Sequence, residues 1–288
     1  MRVLIAGCGY IGSSLGVELV RQGHKVFGLR RSRSAEAELK AAGIEPLSAD
    51  ISQATELAAL PSAYDWVVDC VSAGLGGGPA AYKAAYLEGM TNLLAWLQPA
   101  PPNKFVYTSS TSVYGQTGGE TVDETSPAEP SAETGKILVA TENKLLSAAR
   151  KGFPAIVLRL AGIYGPGRGY WLKQVVSGQA RLEGAGDRVL NMVHRDDVAG
   201  AILTALERGQ PGEVYNVVDD EPVTQRAFFQ GLSAFLGKPM PSPAAEPAPP
   251  SKRGLSNKQV SNRKLKTELG YRFKYPTFRE GFAGRIPA

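Results

Sequence analysis

The chain has few of the residues that mark secreted, metal-binding or membrane-spanning proteins. Its 288 residues include only two cysteines and two histidines, and no apolar run is long enough to cross a bilayer. Two cysteines are too few for a disulfide framework or a metal cluster, which indicates a reducing compartment. We expect Cys8 and Cys70 to pack as small apolar residues. The composition predicts a cytoplasmic protein with no metal and no membrane partner.

The chain has little excess charge overall, with a net charge of +5, but its C-terminal part is unevenly basic. From Ser251 onward, ten lysine and arginine residues face only Glu268 and Glu280. Such a bias can attract nucleic acid or an anionic small molecule. No nucleic-acid motif or aromatic stacking platform accompanies it. We therefore predict a solvated basic surface near a phosphate-bearing cofactor, and no nucleic-acid partner.

A glycine motif near the start of the chain is its most informative segment. An apolar strand runs directly into Gly7-x-Gly9-x-x-Gly12, and a helical pattern follows. Gly7 permits a tight turn, Gly9 lets backbone amides approach a pyrophosphate, and Gly12 lets the helix pack against the strand. We predict that these glycines, with Tyr10 and Ile11, form the phosphate turn of a dinucleotide site. The alternative is a purely structural glycine turn.

The end of the second strand, His24 to Leu29, indicates which dinucleotide is bound. An NAD-preferring site usually has an acidic residue here that accepts hydrogen bonds from the adenosine ribose. This strand is instead followed by Arg30 and Arg31, with Arg33 close behind and no carboxylate. A guanidinium can bind the 2′-phosphate of NADP through two parallel hydrogen bonds. The sequence therefore favours NADP over NAD, unless the arginines only solvate a loop.

Apolar strands alternate with helical segments along most of the chain, which predicts an α/β fold with a doubly wound, Rossmann-like parallel sheet. The predicted strands are Val3–Ala6, Lys25–Leu29, Trp66–Val71, Lys104–Thr108, Ala155–Arg159 and Val214–Val218. The predicted helices are Ser13–Gln22, Ala35–Ala42, Tyr82–Leu97, Gly135–Arg150, Asp196–Arg208 and a short one at Asn262–Gly270. A glycine-rich loop, Gly74 to Pro79, follows a strand where a ligand crevice is expected.

The chain is long enough for one dinucleotide-binding domain and a smaller lobe. We assign residues 1–165 to the dinucleotide-binding domain, with 191–218 returning to it. Residues 166–190 and 219–288 are assigned to a smaller, mainly C-terminal substrate lobe. Pro239 to Pro250 is rich in proline and alanine and predicts an extended connector.

Several segments together resemble the extended and atypical short-chain dehydrogenase/reductase family, which contains nucleotide-sugar epimerases and dehydratases. Besides the glycine motif they are Thr108-Ser-Ser-Thr-Ser-Val-Tyr-Gly115, Leu158-Arg-Leu-Ala-Gly-Ile-Tyr-Gly-Pro-Gly167, Val193-His-Arg-Asp-Asp-Val198, Tyr215-Asn-Val-Val-Asp-Asp-Glu-Pro222 and Leu265 to Tyr271. The chain resembles an uncharacterised bacterial subgroup of this family that lacks the Tyr-x-x-x-Lys pair. The resemblance implies that Asp50 and Ile51 line the adenine pocket and that Ser72 lies near the nicotinamide ribose.

The same resemblance implies a catalytic hydroxyl and a Tyr-x-x-x-Lys pair, but the pair is missing. Spacing before the Val-Tyr-Gly segment assigns the hydroxyl to Ser110. Anchoring the family helix on Glu142 puts Thr134 at the tyrosine position and Leu138 at the lysine position. Lys136 lies on a different face of that helix. Thr134 is far too weak an acid to replace a phenol, although we expect both positions to accept Tyr and Lys without loss of folding.

Other phenols are candidates for the missing proton donor. Tyr86 occupies the position of a common family asparagine, and Tyr114 and Tyr164 lie in the motifs above. Each is more often a packing residue than an acid. The arginine that binds nucleotide-sugar phosphate in relatives is replaced by Leu190, although Arg188 is close in sequence.

Two functions fit this pattern. The first is an NADP-dependent oxidoreductase or epimerase that acts on a small polar substrate, such as a sugar or nucleotide sugar, with Ser110 and a substitute phenol. The second is a catalytically inactive NADP-binding sensor or scaffold. Arg168 could reach a substrate anion or only be solvated. Arg159, His194 and Asp197 are expected to be structural, and the family resemblance implies a homodimer.

Overall fold

The computed structural model describes residues 1–74, 77–244 and 256–283. The strands are β1 Arg2–Ala6, β2 Lys25–Arg30, β3 Glu45–Ser48, β4 Trp66–Asp69, β5 Lys104–Ser110, β6 Thr121–Val122, β7 Ala155–Leu160, β8 Gly162–Tyr164, β9 Val189–Leu190, β10 Met192–His194, β11 Val214–Val217, β12 Val223–Thr224 and β13 Gln259–Val260. The α-helices are α1 Tyr10–Arg21, α2 Glu36–Ala41, α3 Ala54–Ala58, α4 Pro79–Tyr82, α5 Gly89–Leu97, α6 Glu133–Ala149, α7 Tyr170–Val176, α8 Arg195–Arg208, α9 Gln225–Leu236, α10 Arg263–Leu269 and α11 Phe278–Ala283. Two 3₁₀ turns cover Arg33–Ala35 and Thr111–Val113.

Seven parallel strands form the central sheet in the order β11-β7-β5-β4-β1-β2-β3. The order reverses between β1 and β4, which is where a doubly wound sheet opens a ligand crevice at its carboxyl edge. The predicted Rossmann-like fold is confirmed. β3 is not among the predicted strands, because Glu45–Ser48 is short and only half-buried.

Both faces of the sheet are covered by helices. Alternate residues of a strand point to opposite faces, so Ile5 packs on the side of α1 and α8, and Leu4 packs on the side of α5 and α6. A third apolar cluster, separate from the two clusters of the sheet, packs around Phe228, Phe229 and Phe282. Leu265 and Leu269 of α10 instead join the cluster of the main sheet.

One helix differs from its predicted form. The predicted helix Tyr82–Leu97 begins earlier, at Pro79, and contains a π-helical segment at Lys83–Glu88 between α4 and α5. π-Helical turns are rare and occur mostly at functional sites. The segment packs against α6, the helix that carries Thr134 and Leu138.

Ion pairs neutralise three of the basic residues in the described part of the C-terminal segment. The pairs are Lys264–Glu213, Lys266–Asp220 and Arg279–Glu221. The predicted loop at Gly74–Pro79 and the predicted connector at Pro239–Pro250 lie partly outside the described residues. Within the described part, no helix is long and apolar enough to cross a membrane.

Candidate active site

A cleft of about 480 Å³ opens at the carboxyl edge of the sheet, beside the reversal in strand order. It runs from the end of β2, past the glycine turn after β1, to the ends of β5 and β7. Of the predicted site residues, it brings together Gly7, Gly9, Tyr10, Ile11, Arg30, Arg31, Asp50, Ile51, Ser72, Tyr86 and Ser110. Four predicted residues do not line it: Gly12, Tyr114, Thr134 and Tyr164.

Each glycine of the turn has a different steric environment. Gly7 has φ +75°, and a Cβ there would lie 2.5 Å from the backbone nitrogen of Val71. A Cβ on Gly12 would lie 2.8 Å from Cγ2 of Ile5, so this glycine lets α1 pack on β1. A Cβ on Gly9 would meet nothing closer than 3.9 Å and would instead fill open space. That space fits a pyrophosphate against the backbone.

The start of α1 has no side-chain cap. Gly9 occupies the N-cap position and offers no side-chain acceptor to the first-turn N–H groups. The backbone N–H groups at a helix N-terminus and the helix dipole favour an anion. The residues present therefore fit the diphosphate of a dinucleotide, with Gly9, Tyr10 and Ile11 at the cleft surface.

Guanidinium groups lie at the end of β2, where the ribose of a dinucleotide would lie. Arg30 and Arg31 both line the cleft. A nitrogen of Arg31 lies 3.9 Å from a carboxylate oxygen of Asp50, with both side chains partly exposed. Arg33 lies outside the cleft lining and pairs with Glu36 at 3.8 Å.

Next to Arg31, the Asp50–Ile51 side of the cleft is held by short local contacts. The Asp50 carboxylate accepts hydrogen bonds from the backbone N–H of Ser52, at 2.9 Å, and from its hydroxyl, at 2.8 Å. The carbonyl of Ile51 accepts a hydrogen bond from the side chain of Asn92 at 2.9 Å. These bonds fix the Asp50–Ile51 segment as a wall of the cleft, in the place where the family resemblance expects adenine.

Ser110 and two tyrosines line the inner end of the cleft. Ser110 ends β5, and its Oγ accepts a hydrogen bond from the N–H of Ser112 at 3.2 Å. That bond uses a lone pair, so the hydroxyl proton can still be donated. Tyr86 lies in the π-helical segment, and Tyr82 precedes it with ring centroids 5.1 Å apart. Tyr82 is not among the predicted site residues, although a spacing of four residues places both rings on one helix face.

The positions of the missing tyrosine and lysine are packed rather than open. Leu138 is 3% exposed and lines the cleft, so an apolar side chain occupies the expected position of the lysine. Thr134 is 5% exposed and lies outside the cleft lining. A Cβ on Gly135 would lie 2.6 Å from Cβ of Pro130, which shows how tightly this turn is packed. The expectation that both positions would accept larger side chains freely does not agree with this packing.

Tyr114 belongs to a buried network and not to the cleft. Its phenol donates to Oδ1 of Asn216 at 2.9 Å and accepts from Arg159 at 2.8 Å. The residue is 1% exposed, and burial raises the pKa of its phenol. This geometry opposes a role for Tyr114 as proton donor. Tyr164 likewise donates to the carbonyl of Thr277 at 3.2 Å, outside the cleft lining.

A buried carboxylate lies beneath the cleft. Asp69 ends β4, is 2% exposed, and accepts a hydrogen bond from the N–H of Val71 at 3.0 Å. Burial raises the pKa of Asp69 to about 7. Burial therefore favours the protonated form of Asp69 relative to a solvent-exposed aspartate. Asp69 was not among the predicted site residues.

Asp197 ties the C-terminal segment to α8. Its carboxylate accepts hydrogen bonds from the N–H of Lys274 at 2.6 Å, the N–H of Tyr275 at 3.0 Å and the hydroxyl of Tyr271 at 2.9 Å. His194 stacks on Tyr275 with ring centroids 3.9 Å apart. These contacts support the structural roles expected of His194 and Asp197.

The fold and the cleft define a dinucleotide-binding α/β protein. A model of the NAD dependent epimerase/dehydratase family matches residues 3–218, and the chain belongs to that family. The predicted resemblance is confirmed. Members of this group include epimerases, dehydratases and reductases.

Known proteins are similar over nearly the whole chain. The sequence is 29% identical over 280 residues to protein YeeZ of Escherichia coli K12, covering 96% of both chains. It is 28% identical over 305 residues to the 3-diazoavenalumate denitrifying reductase of a Streptomyces species, covering 98% of this chain and 99% of that one. UDP-glucuronic acid 4-epimerase from Bacillus cereus, solved with UDP-glucuronic acid and NAD, shares the fold with a TM-score of 0.82 at 22% identity, covering 98% and 96% of the two chains.

Proposed function

We propose that the chain is an NADP-dependent oxidoreductase that reduces the carbonyl group of a small polar substrate. The observation that carries the proposal is a single cleft lined by an open glycine turn at Gly9, by Arg30, and by Ser110 and Tyr86. A bound nicotinamide would supply the hydride for this chemistry. The NAD bound to the structurally similar epimerase supports a nicotinamide cofactor, and Arg30 and Arg31 support its 2′-phosphorylated form.

Ser110 and Tyr86 divide the remaining chemistry between them. The Ser110 hydroxyl donates a hydrogen bond to the substrate carbonyl oxygen and polarises it. The Tyr86 phenol then donates its proton to that oxygen as negative charge develops there. The resulting phenolate regains a proton from water through the open mouth of the cleft.

The missing lysine favours reduction over epimerisation. Leu138 occupies the lysine position, and the cations that line the cleft within the described residues are Arg30, Arg31 and Arg168. Without a nearby lysine, a phenol is a usable acid but a poor base at neutral pH. An epimerase needs a base in its first step, whereas carbonyl reduction needs only the acid.

The lobe offers little to a nucleotide-sugar phosphate. Leu190 is buried in the apolar cluster of the lobe, and Arg188 pairs with Glu183 at 3.1 Å. A small carbonyl compound without a nucleotide is therefore the favoured substrate class. The similarity to a Streptomyces reductase supports the same reaction type.

A second candidate function is an NADP-binding sensor without catalysis. It is favoured by Leu138 and the buried Thr134, which leave the usual catalytic positions without an acid or a cation. Oxidation of bound NADPH by any member of a panel of carbonyl compounds would exclude this second function.

We further propose that the protein works in a reducing, cytoplasmic setting, which the free Cys8 and Cys70 support. We also propose that it forms a homodimer, which sedimentation velocity would test.

The first experiment is a fluorescence titration with NADPH and NADH. We expect selective, micromolar binding of NADPH. Arg30→Ala should weaken NADPH binding about tenfold or more, because a hydrogen bond to a charged group is lost, and should leave NADH binding unchanged. Arg33→Ala is the matched control on the same loop and should change neither. Equal losses for both nucleotides would remove the 2′-phosphate assignment, and binding of neither would refute the enzyme hypothesis.

A further inference from the structure

A tight turn across the cleft fixes the position of Arg168. The N–H of Gly165 donates to the carbonyl of Arg168 at 2.8 Å, and the N–H of Arg168 donates back to Gly165 at 2.9 Å. Pro166 and Gly167 form the tip, and Gly167 has φ +68°. Proline followed by a glycine with positive φ is the signature of a type II turn. The Arg168 side chain therefore starts from a well-defined backbone position.

The Arg168 guanidinium lies over the first residue of α1. Its central carbon is 5.1 Å from the ring centroid of Tyr10, and that of Arg195 is 5.3 Å from the same centroid. Arg195 is neutralised by Asp196 at 2.8 Å. Within residues 1–74, 77–244 and 256–283, no carboxylate lies within ion-pair distance of Arg168. Arg168 is thus a cation without an acidic partner among the described residues, held next to the anion-binding end of α1.

Arg168 lines the same cleft as Gly9 and Tyr10. We propose that Arg168 binds the diphosphate of the cofactor from the side opposite the glycine turn. The backbone N–H groups at the start of α1 hold one side of the diphosphate, and the planar guanidinium holds the other with parallel hydrogen bonds. This inference rests on the proposed cofactor function and adds a second, separate phosphate contact to it.

The two phosphate contacts have different selectivity. Arg30 lies at the end of β2 and is assigned to the 2′-phosphate, which only NADP carries. Arg168 belongs to the turn that lies next to the start of α1, and it is assigned to the diphosphate, which NADP and NAD share. Substitution of each arginine should therefore give a different pattern across nucleotides.

The competing role for Arg168 is contact with a substrate anion. The side chain also lines an adjoining cavity of about 560 Å³, together with Lys173 and Tyr275. In that role Arg168 would leave cofactor affinity untouched. Cofactor titrations therefore separate the two roles before any substrate is known.

The test is a set of titrations of the full-length protein with NADPH, NADH and adenosine 2′-monophosphate, which has the 2′-phosphate but no diphosphate. Arg168→Ala should raise the Kd for NADPH and for NADH by the same factor, about tenfold. It should leave the Kd of adenosine 2′-monophosphate, measured by displacement of NADPH, unchanged. Arg30→Ala should give the reverse pattern, weakening NADPH and adenosine 2′-monophosphate and sparing NADH.

Control variants make the outcome decisive. Arg168 is exposed, so its removal should not unfold the chain, and a thermal melt checks this. Arg195→Ala removes the other guanidinium that lies over the Tyr10 ring. It should leave the Kd values for NADPH, NADH and adenosine 2′-monophosphate unchanged. Unchanged cofactor affinity in Arg168→Ala, or an equal loss in Arg195→Ala, would overturn the diphosphate contact while leaving the proposed function intact. Failure of the unsubstituted protein to bind either nucleotide would instead refute the proposed function.

Discussion

The Arg159 guanidinium and the Glu142 carboxylate form a buried two-point ion pair, with Nη2 2.7 Å from Oε2 and Nε 3.2 Å from both carboxylate oxygens. Ser109 donates a further hydrogen bond to Glu142, at 2.5 Å. The pair joins α6 to β7 next to the strand end that carries Ser110. Glu142 therefore anchors α6 to the sheet. In the same helix, Thr134 and Leu138 occupy the positions where the family resemblance expects a catalytic tyrosine and lysine.

Removal of one partner of this pair should be strongly destabilising. Glu142→Ala would leave the Arg159 guanidinium buried and uncompensated, and breaking a buried pair in this way costs about 3–5 kcal/mol of unfolding free energy. Urea unfolding of the single variants and of Glu142→Met combined with Arg159→Met measures the effect. We expect the double variant to recover much of the loss. A loss below about 1 kcal/mol in Glu142→Ala would contradict this account of the pair.

Tyr86→Phe should lower kcat for carbonyl reduction by about 10²-fold or more, because a positioned general acid contributes at least that much. The Kd for NADPH should not change. Tyr82→Phe is the matched control on the same helix face and should retain most activity. Once a reducible substrate has been found, equal effects of the two substitutions would argue that neither phenol is the proton donor.

The sequence predicted the framework of the site better than its chemistry. The glycine turn, Arg30 and Ser110 were found because strand ends and glycine spacing determine where backbone and polar groups lie. Tyr114 was considered for catalysis because a motif does not show whether a phenol faces a cleft or a buried partner such as Asn216. The π-helical segment around Tyr86 was missed because a single π-helical turn has no sequence periodicity of its own.

Alanine substitutions at two glycines of the turn should separate binding from stability. Gly9→Ala adds a methyl group to open space in the cleft and should weaken NADPH binding while the melting temperature changes little. Gly12→Ala forces a methyl group to within 2.8 Å of Ile5 and should lower stability, because overpacking typically costs about 1–3 kcal/mol. Titration and thermal melting of both variants test this. Loss of stability in Gly9→Ala with normal binding would contradict the assignment.

Stability should fall as the pH rises toward 8. Burial raises the pKa of Asp219 from 3.8 to about 8, with Glu221, Asp220 and Asp197 adding like charge. The folded state therefore keeps a proton on Asp219 that the unfolded state releases above about pH 4. The stability that this protonated carboxyl contributes is lost as the pH rises through the folded pKa. Asp219→Asn keeps an oxygen to accept the hydrogen bond from Glu221 and should flatten the decline. Melting temperatures at pH 5, 6.5 and 8 test this prediction. A melting temperature that fell as steeply in Asp219→Asn as in the unsubstituted chain would contradict it.

Restoring the family's catalytic pair should destabilise the chain. Thr134 is 5% exposed and Leu138 is 3% exposed, so Thr134→Tyr forces a ring into a packed turn and Leu138→Lys partly buries an ammonium group. We expect the tyrosine variant to lose about 1–3 kcal/mol of unfolding free energy. The lysine variant should lose less, because its side chain can extend into the cleft that Leu138 lines. Urea unfolding of both single variants and of the double variant measures this. If the double variant kept full stability and gained reductase activity, the two positions would be open to the site, and Tyr86 would not be needed as the acid.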